Sequence, residues 1–216
     1  ANVCPPCSEE LPRISHSCFK CGLPLTTADD RDCDRCRKFP VPWDSAAAAL
    51  LYTFPVDQLV RRFKFSRSLA GGQVLAQEMI RTVCNHGISM PDALVPVPLH
   101  RSRFLTRPFN QSEVLARHIG RALNLPVCTN LLYRNRRTRA HSGLDAASRR
   151  LNIKGAFRPG KHGKSRRKLR HLALVDDVLT TGATMTECTR TMKTSGIERI
   201  SVWVAARAPA PADQPE

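Results

Sequence analysis

A chain of 216 residues has room for one ordinary domain and a small module, and 42% apolar residues is enough for a packed core, which excludes wholesale disorder. No stretch approaches the roughly 18 apolar residues of a membrane span. The opening ANVCPPC has neither the basic region nor the apolar core of an export signal, so a cytoplasmic protein without membrane insertion is expected, and the lack of a first Met reads as a trimmed or incomplete product. The net charge of +16 favours a polyanionic partner: nucleic acid, a nucleotide or a diphosphate.

Six of the nine cysteines fall in the first 36 residues as three pairs, Cys4-x-x-Cys7, Cys18-x-x-Cys21 and Cys33-x-x-Cys36. Two intervening residues let both thiolates of a tight turn face one ion, and tetrahedral zinc needs two such knuckles. A reducing compartment disfavours disulfides. Gly22 after Cys21 permits the backbone turn of a knuckle, and Cys33 follows after a short loop. Cys18, Cys21, Cys33 and Cys36 are therefore assigned to one structural zinc, closed to substrate because four thiolates fill it. Cys4 and Cys7 are either half of a second site or a replacement for one of the other pairs. Cys84, Cys128 and Cys188 read as small buried hydrophobes.

Residues 37–43, with two prolines, read as an extended linker. Next come LLYTF (residues 50–54) as a strand, residues 55–65 as a helix with Pro in its first turn, and residues 69–83 as a second amphipathic helix. Phe63 and Phe65, among Arg61, Arg62 and Lys64, are either buried by that first helix or available to stack on bases. Residues 93–97 form a short buried strand and residues 110–123 a helix with Val114, Leu115, Ile119 and Leu123 on one face. A brief strand at residues 131–133 leads into a basic segment. Residues 134–170 hold fourteen Arg or Lys and one acid, Asp145, a local net of +13. Within it, residues 155–158 read as a strand and 160–168 as a basic turn. Residues 172–175 are a buried strand, 184–194 a helix closed by Gly196, and 200–205 the last strand; residues 208–216 form a disordered Pro- and Ala-rich tail. Alternating strands and helices imply an α/β fold with a mainly parallel sheet flanked by helices, binding its ligand at the carboxyl ends of the strands.

The chemistry concentrates in VDDVLTTGAT, residues 175–184. If the strand ends at Val175 and the helix starts near Thr184, the loop lies at the ligand edge. Backbone N–H groups of Thr180, Thr181, Gly182, Ala183 and Thr184 ahead of a helix N-terminus make a nest for a phosphate. Asp176 and Asp177 would repel a bare phosphate but accept hydrogen bonds from vicinal ribose hydroxyls. A sugar 5′-phosphate satisfies both halves. The plainer alternative is an Asp pair capping a helix after a core strand.

VDDVLTTGAT resembles the signature of type I phosphoribosyltransferases, in which two acids hold the ribose of phosphoribosyl pyrophosphate (PRPP) and the following loop holds its 5′-phosphate. Leu94-Val-Pro-Val-Pro-Leu-His-Arg101, Arg107-Pro-Phe-Asn-Gln111, His141-Ser-Gly-Leu144, Arg149-Arg-Leu-Asn152 and Gly155-Ala-Phe157 extend the resemblance to the ComF group of competence and GntX-type DNA-utilisation proteins. Pro108 stands where that group usually has Gly, and a further upstream Cys pair is absent. The resemblance implies a Cys-rich zinc module over residues 1–43 joined to a phosphoribosyltransferase-fold domain over residues 44–207. It implies PRPP bound with Mg²⁺, with Leu99, His100 and Arg101 on the diphosphate, and Asp176, Asp177 and Arg101 in catalytic roles. It also implies a mobile catalytic loop within residues 134–150.

The acceptor is not written in the residues. Three readings stand: a phosphoribosyltransferase, a non-catalytic PRPP or nucleotide sensor, and a single-stranded DNA-binding protein of the uptake machinery. The partners expected are PRPP or a nucleotide, single-stranded DNA, and DNA-uptake or helicase-type competence proteins.

Overall fold

The computed structural model describes residues 4–27, 30–65, 69–85, 87–100, 102, 109–138, 146–160 and 169–209. Two short helices, α1 (Pro5–Glu9) and α2 (Asp34–Lys38), belong to the Cys-rich segment. There follow β1 (Ser45–Leu51), α3 (Val56–Phe65), α4 (Leu69–Asn85), β2 (Ala93–Pro96), α5 (Gln111–Leu123), β3 (Leu132–Arg134), α6 (Ala146–Ile153), β4 (Phe157–Pro159), β5 (His171–Leu179), α7 (Ala183–Thr194) and β6 (Arg199–Arg207).

Four strands make one sheet in the order β1-β6-β5-β2, and every pair in it is parallel. Parallel strands must be covered on both faces, which is why SAAAALL, HLALV and RISVWVAA read as continuous rather than alternating apolar runs. Two clusters of buried side chains follow the alternation of β5. Ala173 and Val175 pack with Val60, Phe63, Leu75, Met79, Leu115 and Ile119 of α3, α4 and α5. Leu172 and Leu174 pack on the other face with Met185, Cys188 and Met192 of α7. Burying these chains, at about 25 cal/mol per Å² of apolar surface, is what fixes the register of the sheet.

Several expectations are corrected. The first strand begins at Ser45 and ends at Leu51, so the alanine run is in the sheet and Tyr52–Phe54 lies beyond it. Small side chains suit that edge, since the Cys-rich segment packs close: a Cβ on Gly22 would stand 2.9 Å from Ala48 Cβ. The strands at residues 131–133 and 155–158 form a separate antiparallel pair, β3 with β4. A helix, α6, occupies part of the basic segment expected to be a loop. The aromatic pair divides, with Phe63 buried and Phe65 61% exposed, because neighbours on a helix face different ways. Cys188 is buried, Cys128 partly buried and Cys84 exposed. Among the described residues no helix is long and apolar enough to cross a membrane.

Candidate functional site

β2 stops short of its neighbour. Pro96 pairs with Val175, and Val97 N–H donates to the Val175 carbonyl at 2.9 Å. β5 continues to Leu179 because β6 still supplies a ladder, with Asp176 opposite Val204 and Leu179 opposite Arg207. The strand therefore does not end at Val175 as expected; the two acids lie within it. Beyond β2 the first turn of α5 takes the place beside β5. There Ser112 Oγ donates to Asp176 Oδ1 at 2.7 Å, and the Asp177 backbone N–H donates to the same oxygen at 2.9 Å. α5 is held in that position by Asn110, whose side chain accepts from Ser112 N–H and donates to the Val97 carbonyl at 3.0 Å.

Asp177 projects to the opposite side of the strand, as alternation requires, and its Oδ2 lies 2.9 Å from Lys64 Nζ at the end of α3. Among the described residues, each carboxylate thus has one oxygen tied to the protein and one left to accept from a ligand. Burial, and next the charge of Asp177, push the Asp176 carboxyl up to about 6, against the opposing pull of the Ser112 hydroxyl and Lys64. Two acids held partly out of water give a site that welcomes hydroxyl donors.

After Leu179 the chain turns through Thr180 and Thr181 to Gly182, the N-cap of α7. Gly182 has φ 81, a left-handed conformation that other L-residues adopt only with strain, and a Cβ there would stand 3.0 Å from Cη2 of the buried Trp43. Among the described residues no side chain caps α7, and its first amide meets only Thr181 Oγ1, at 3.5 Å. The N–H groups from Thr181 to Thr184 and the positive end of the helix together suit an anion. At the neighbouring edge, Leu99 and His100 are partly buried after β2, and His100 Nδ1 accepts from Ser102 N–H at 3.2 Å. Arg101 lies outside the described residues, as do residues 139–145 of the expected catalytic loop.

The four cysteines expected to act together do come together. The sulfurs of Cys18, Cys21, Cys33 and Cys36 all lie within 4.8 Å of one another, and Cys21 and Cys33 are 3.6 Å apart. Zn–S bonds of about 2.3 Å in a tetrahedron require sulfurs about 3.8 Å apart, so the donor set fits zinc. Gly22, at φ 68, makes the knuckle turn. Cys33 N–H donates to Cys18 Sγ at 3.3 Å, and the Cys18 thiol is drawn down to about 5, chiefly by its hydrogen bond with Cys21. Cys4 and Cys7 are exposed and outside the cluster, so they displace neither pair.

No protein-family model matches the chain. Competence protein F of Haemophilus influenzae is 33% identical over 210 residues, covering 95% of this chain and 90% of that protein. DNA utilization protein YhgH of Escherichia coli K12 is 32% identical over 209 residues, with the same coverage. The chain belongs to the competence protein F/YhgH family. Among solved structures, adenine phosphoribosyltransferase from Leishmania donovani superposes with a TM-score of 0.40 at 14% identity, over 74% of this chain and 70% of that one. That likeness is too loose to carry an activity across.

Three residues that position this family member's site escaped the sequence reading: Ser112, Lys64 and Arg207. Arg207, only 4% exposed, ends β6. Its Nε donates to the Cys21 carbonyl at 2.9 Å, and its Nη1 donates to the carbonyls of Leu179, Thr180 and Ala208 at 2.9, 2.7 and 2.8 Å. Because a trans peptide is planar, fixing the Leu179 and Thr180 carbonyls on Arg207 turns the N–H groups of Thr180 and Thr181 away from it. One buried guanidinium therefore joins the cysteine knuckle to the loop before α7. Burial alone would disfavour its charge and does lower its pKa, while nearby Cys21 and Cys33 oppose that shift.

Proposed function

We propose that this protein binds phosphoribosyl pyrophosphate with Mg²⁺ at the carboxyl end of β5 and acts in the uptake or use of DNA. The observation that carries the reading is the arrangement of two half-engaged carboxylates one strand-end away from an uncapped helix N-terminus, across a Gly-containing turn. Asp176 and Asp177 would each accept a ribose hydroxyl on the free oxygen. The amides of Thr181, Gly182, Ala183 and Thr184, with the Thr180 and Thr181 hydroxyls, would hold the 5′-phosphate. Leu99, His100 and Arg101 would border the diphosphate, where a guanidinium can chelate two oxygens. Among the described residues the cysteine cluster is the sole group of three or more metal-ligating side chains, so Mg²⁺ would arrive with the diphosphate that supplies its oxygen ligands. Bound there, it would neutralise charge on the departing diphosphate.

Cys18, Cys21, Cys33 and Cys36 would hold a structural zinc. The curated relatives, named for competence and DNA utilization, support a place in DNA uptake or consumption. Transfer of the ribosyl group to an acceptor fits the same residues.

Calorimetric titration of PRPP, with and without Mg²⁺, tests the reading. Binding in the micromolar range, lost in a folded Asp176→Ala/Asp177→Ala variant, is the expected result. A folded, zinc-loaded protein that takes up no PRPP would sink it. Pyrophosphate release on adding candidate bases, amines or nucleic-acid ends then separates a transferase from a sensor.

A further inference from the structure

A second recess lies on the α7 side of the loop. It has a volume of about 380 Å³ and runs between the Cys-rich segment, the end of α6 and the first turns of α7. Asp176 and Asp177 do not line it. Phe39, from the Cys-rich segment, and Leu151, from α6, stand on it, and each is 73% exposed. Trp43 lies in its wall, buried. Large apolar side chains left this open around a concave site are unusual in a cavity with no occupant of its own.

The same recess is cationic. Arg35, Lys154 and Arg190 line it, and none has a carboxylate partner among the described residues. Its one acid, Glu187, is already engaged, with Oε1 accepting from Gly155 N–H at 2.6 Å. The uncapped start of α7, through Gly182 and Ala183, adds partial positive charge at one wall.

We propose that this recess is a nucleotide-binding site, with the base against Phe39 and Leu151 and the phosphate among Arg35, Lys154 and Arg190. Bare phosphate has no use for the apolar wall, and an uncharged aromatic has none for three cations. A phosphorylated nucleoside uses both. Every base has a π face, so stacking on Phe39 accepts any of them, while guanidinium groups take phosphate oxygens in pairs. The volume falls within the range of about 300–1,000 Å³ of small-molecule sites. The nucleotide is either free or the 5′-phosphorylated end of a single strand; the chemistry recognised is common to both. The recess shares the wall of Thr181, Gly182 and Ala183 with the loop assigned to the 5′-phosphate of PRPP, but Phe39, Leu151, Arg35, Lys154 and Arg190 have no part in that reading, and the acids assigned to PRPP lie outside the recess.

Trp43 supplies the readout. Titrating deoxyadenosine monophosphate into the zinc-loaded protein should quench tryptophan emission saturably. Phe39→Ala, Leu151→Ser and Arg35→Gln/Arg190→Gln should each weaken that binding by about tenfold or more, and deoxyadenosine or inorganic phosphate alone should bind at least about tenfold more weakly. Phe39 and Leu151 are exposed, so their variants should melt as the parent does. PRPP binding, measured by calorimetry in parallel, should change by less than about twofold in Phe39→Ala, which keeps a failure of this site distinct from a failure of the PRPP site. A 5′-phosphorylated oligodeoxynucleotide that binds more tightly than its 5′-hydroxyl counterpart assigns the site to strand ends; equal binding of the two assigns it to free nucleotide. No saturable change with deoxyadenosine monophosphate, or unaltered affinity in Phe39→Ala, overturns the proposal.

Discussion

Asp176 stores a cost that binding would relieve. Its carboxyl is raised from 3.8 to about 6, by burial first and by Asp177 second. A raised carboxyl pKa means the folded protein holds the proton more tightly than the unfolded chain between roughly pH 4 and 6. Folded stability therefore falls as pH rises through that window and stays lower above it. Asp176→Asn keeps an oxygen for Ser112 and removes the charge, so it should raise the melting temperature of the ligand-free protein at pH 7.5. Discounted for partial exposure, the gain is about 1–2 kcal/mol, and it should shrink below pH 6. The same variant should lose PRPP. In the parent, PRPP affinity should weaken as pH drops through about 6, because the hydroxyl-accepting form is the ionised one. Lys64→Met makes the opposite kind of change. It leaves the buried Asp177 carboxylate without its 2.9 Å partner and should cost up to about 3 kcal/mol in denaturant unfolding.

At the scale of elements, the loop between β5 and α7 is held from two sides. Gly182 is in the left-handed region with Trp43 packed against it, so Gly182→Ala should cost about 1–2 kcal/mol in backbone strain and also displace the Trp43 ring. Trp43 emission and melting temperature would report both, and PRPP affinity should fall by more than stability alone explains. Arg207 holds the other side. Arg207→Lys keeps a charge but cannot reach four carbonyls with one fork, which should destabilise the protein by about 2–3 kcal/mol. Because one of those carbonyls belongs to Cys21, the variant should also surrender zinc to a chelator faster than the parent. An unchanged rate of zinc release would confine Arg207 to the loop.

Across the whole molecule, that link predicts how zinc and ligand are related. Stripping the metal should loosen Cys21, leave Arg207 without one of its anchors, and weaken PRPP binding although none of the four clustered cysteines is among the groups that act on Asp176. Calorimetry on stripped and reloaded protein measures this, and full affinity in the stripped form would make the module independent. Much of this site is legible in sequence because it is made of near neighbours: Asp176 beside Asp177, the five-residue loop after them, and cysteines paired two residues apart. The groups that tune it are not. Ser112 is 64 positions from Asp176 and Arg207 is 186 from Cys21, separations over which no local pattern survives.

The ends of elements follow the same division. Two acids after LALV break an apolar run, yet β5 continues through them because the β6 ladder does not depend on side chains. α6 carries little apolar periodicity and leaves Leu151 exposed, so only the packed chain reveals it as a wall of the second recess. The sequence by itself determined the α/β class, the parallel sheet, the cysteine set and the acid-and-loop motif, since these depend on residue type and short spacing. Tertiary structure decided which carboxylate oxygens are engaged, how far β5 runs past β2, and that a single arginine joins the cysteine knuckle to the loop, because those depend on where distant segments meet.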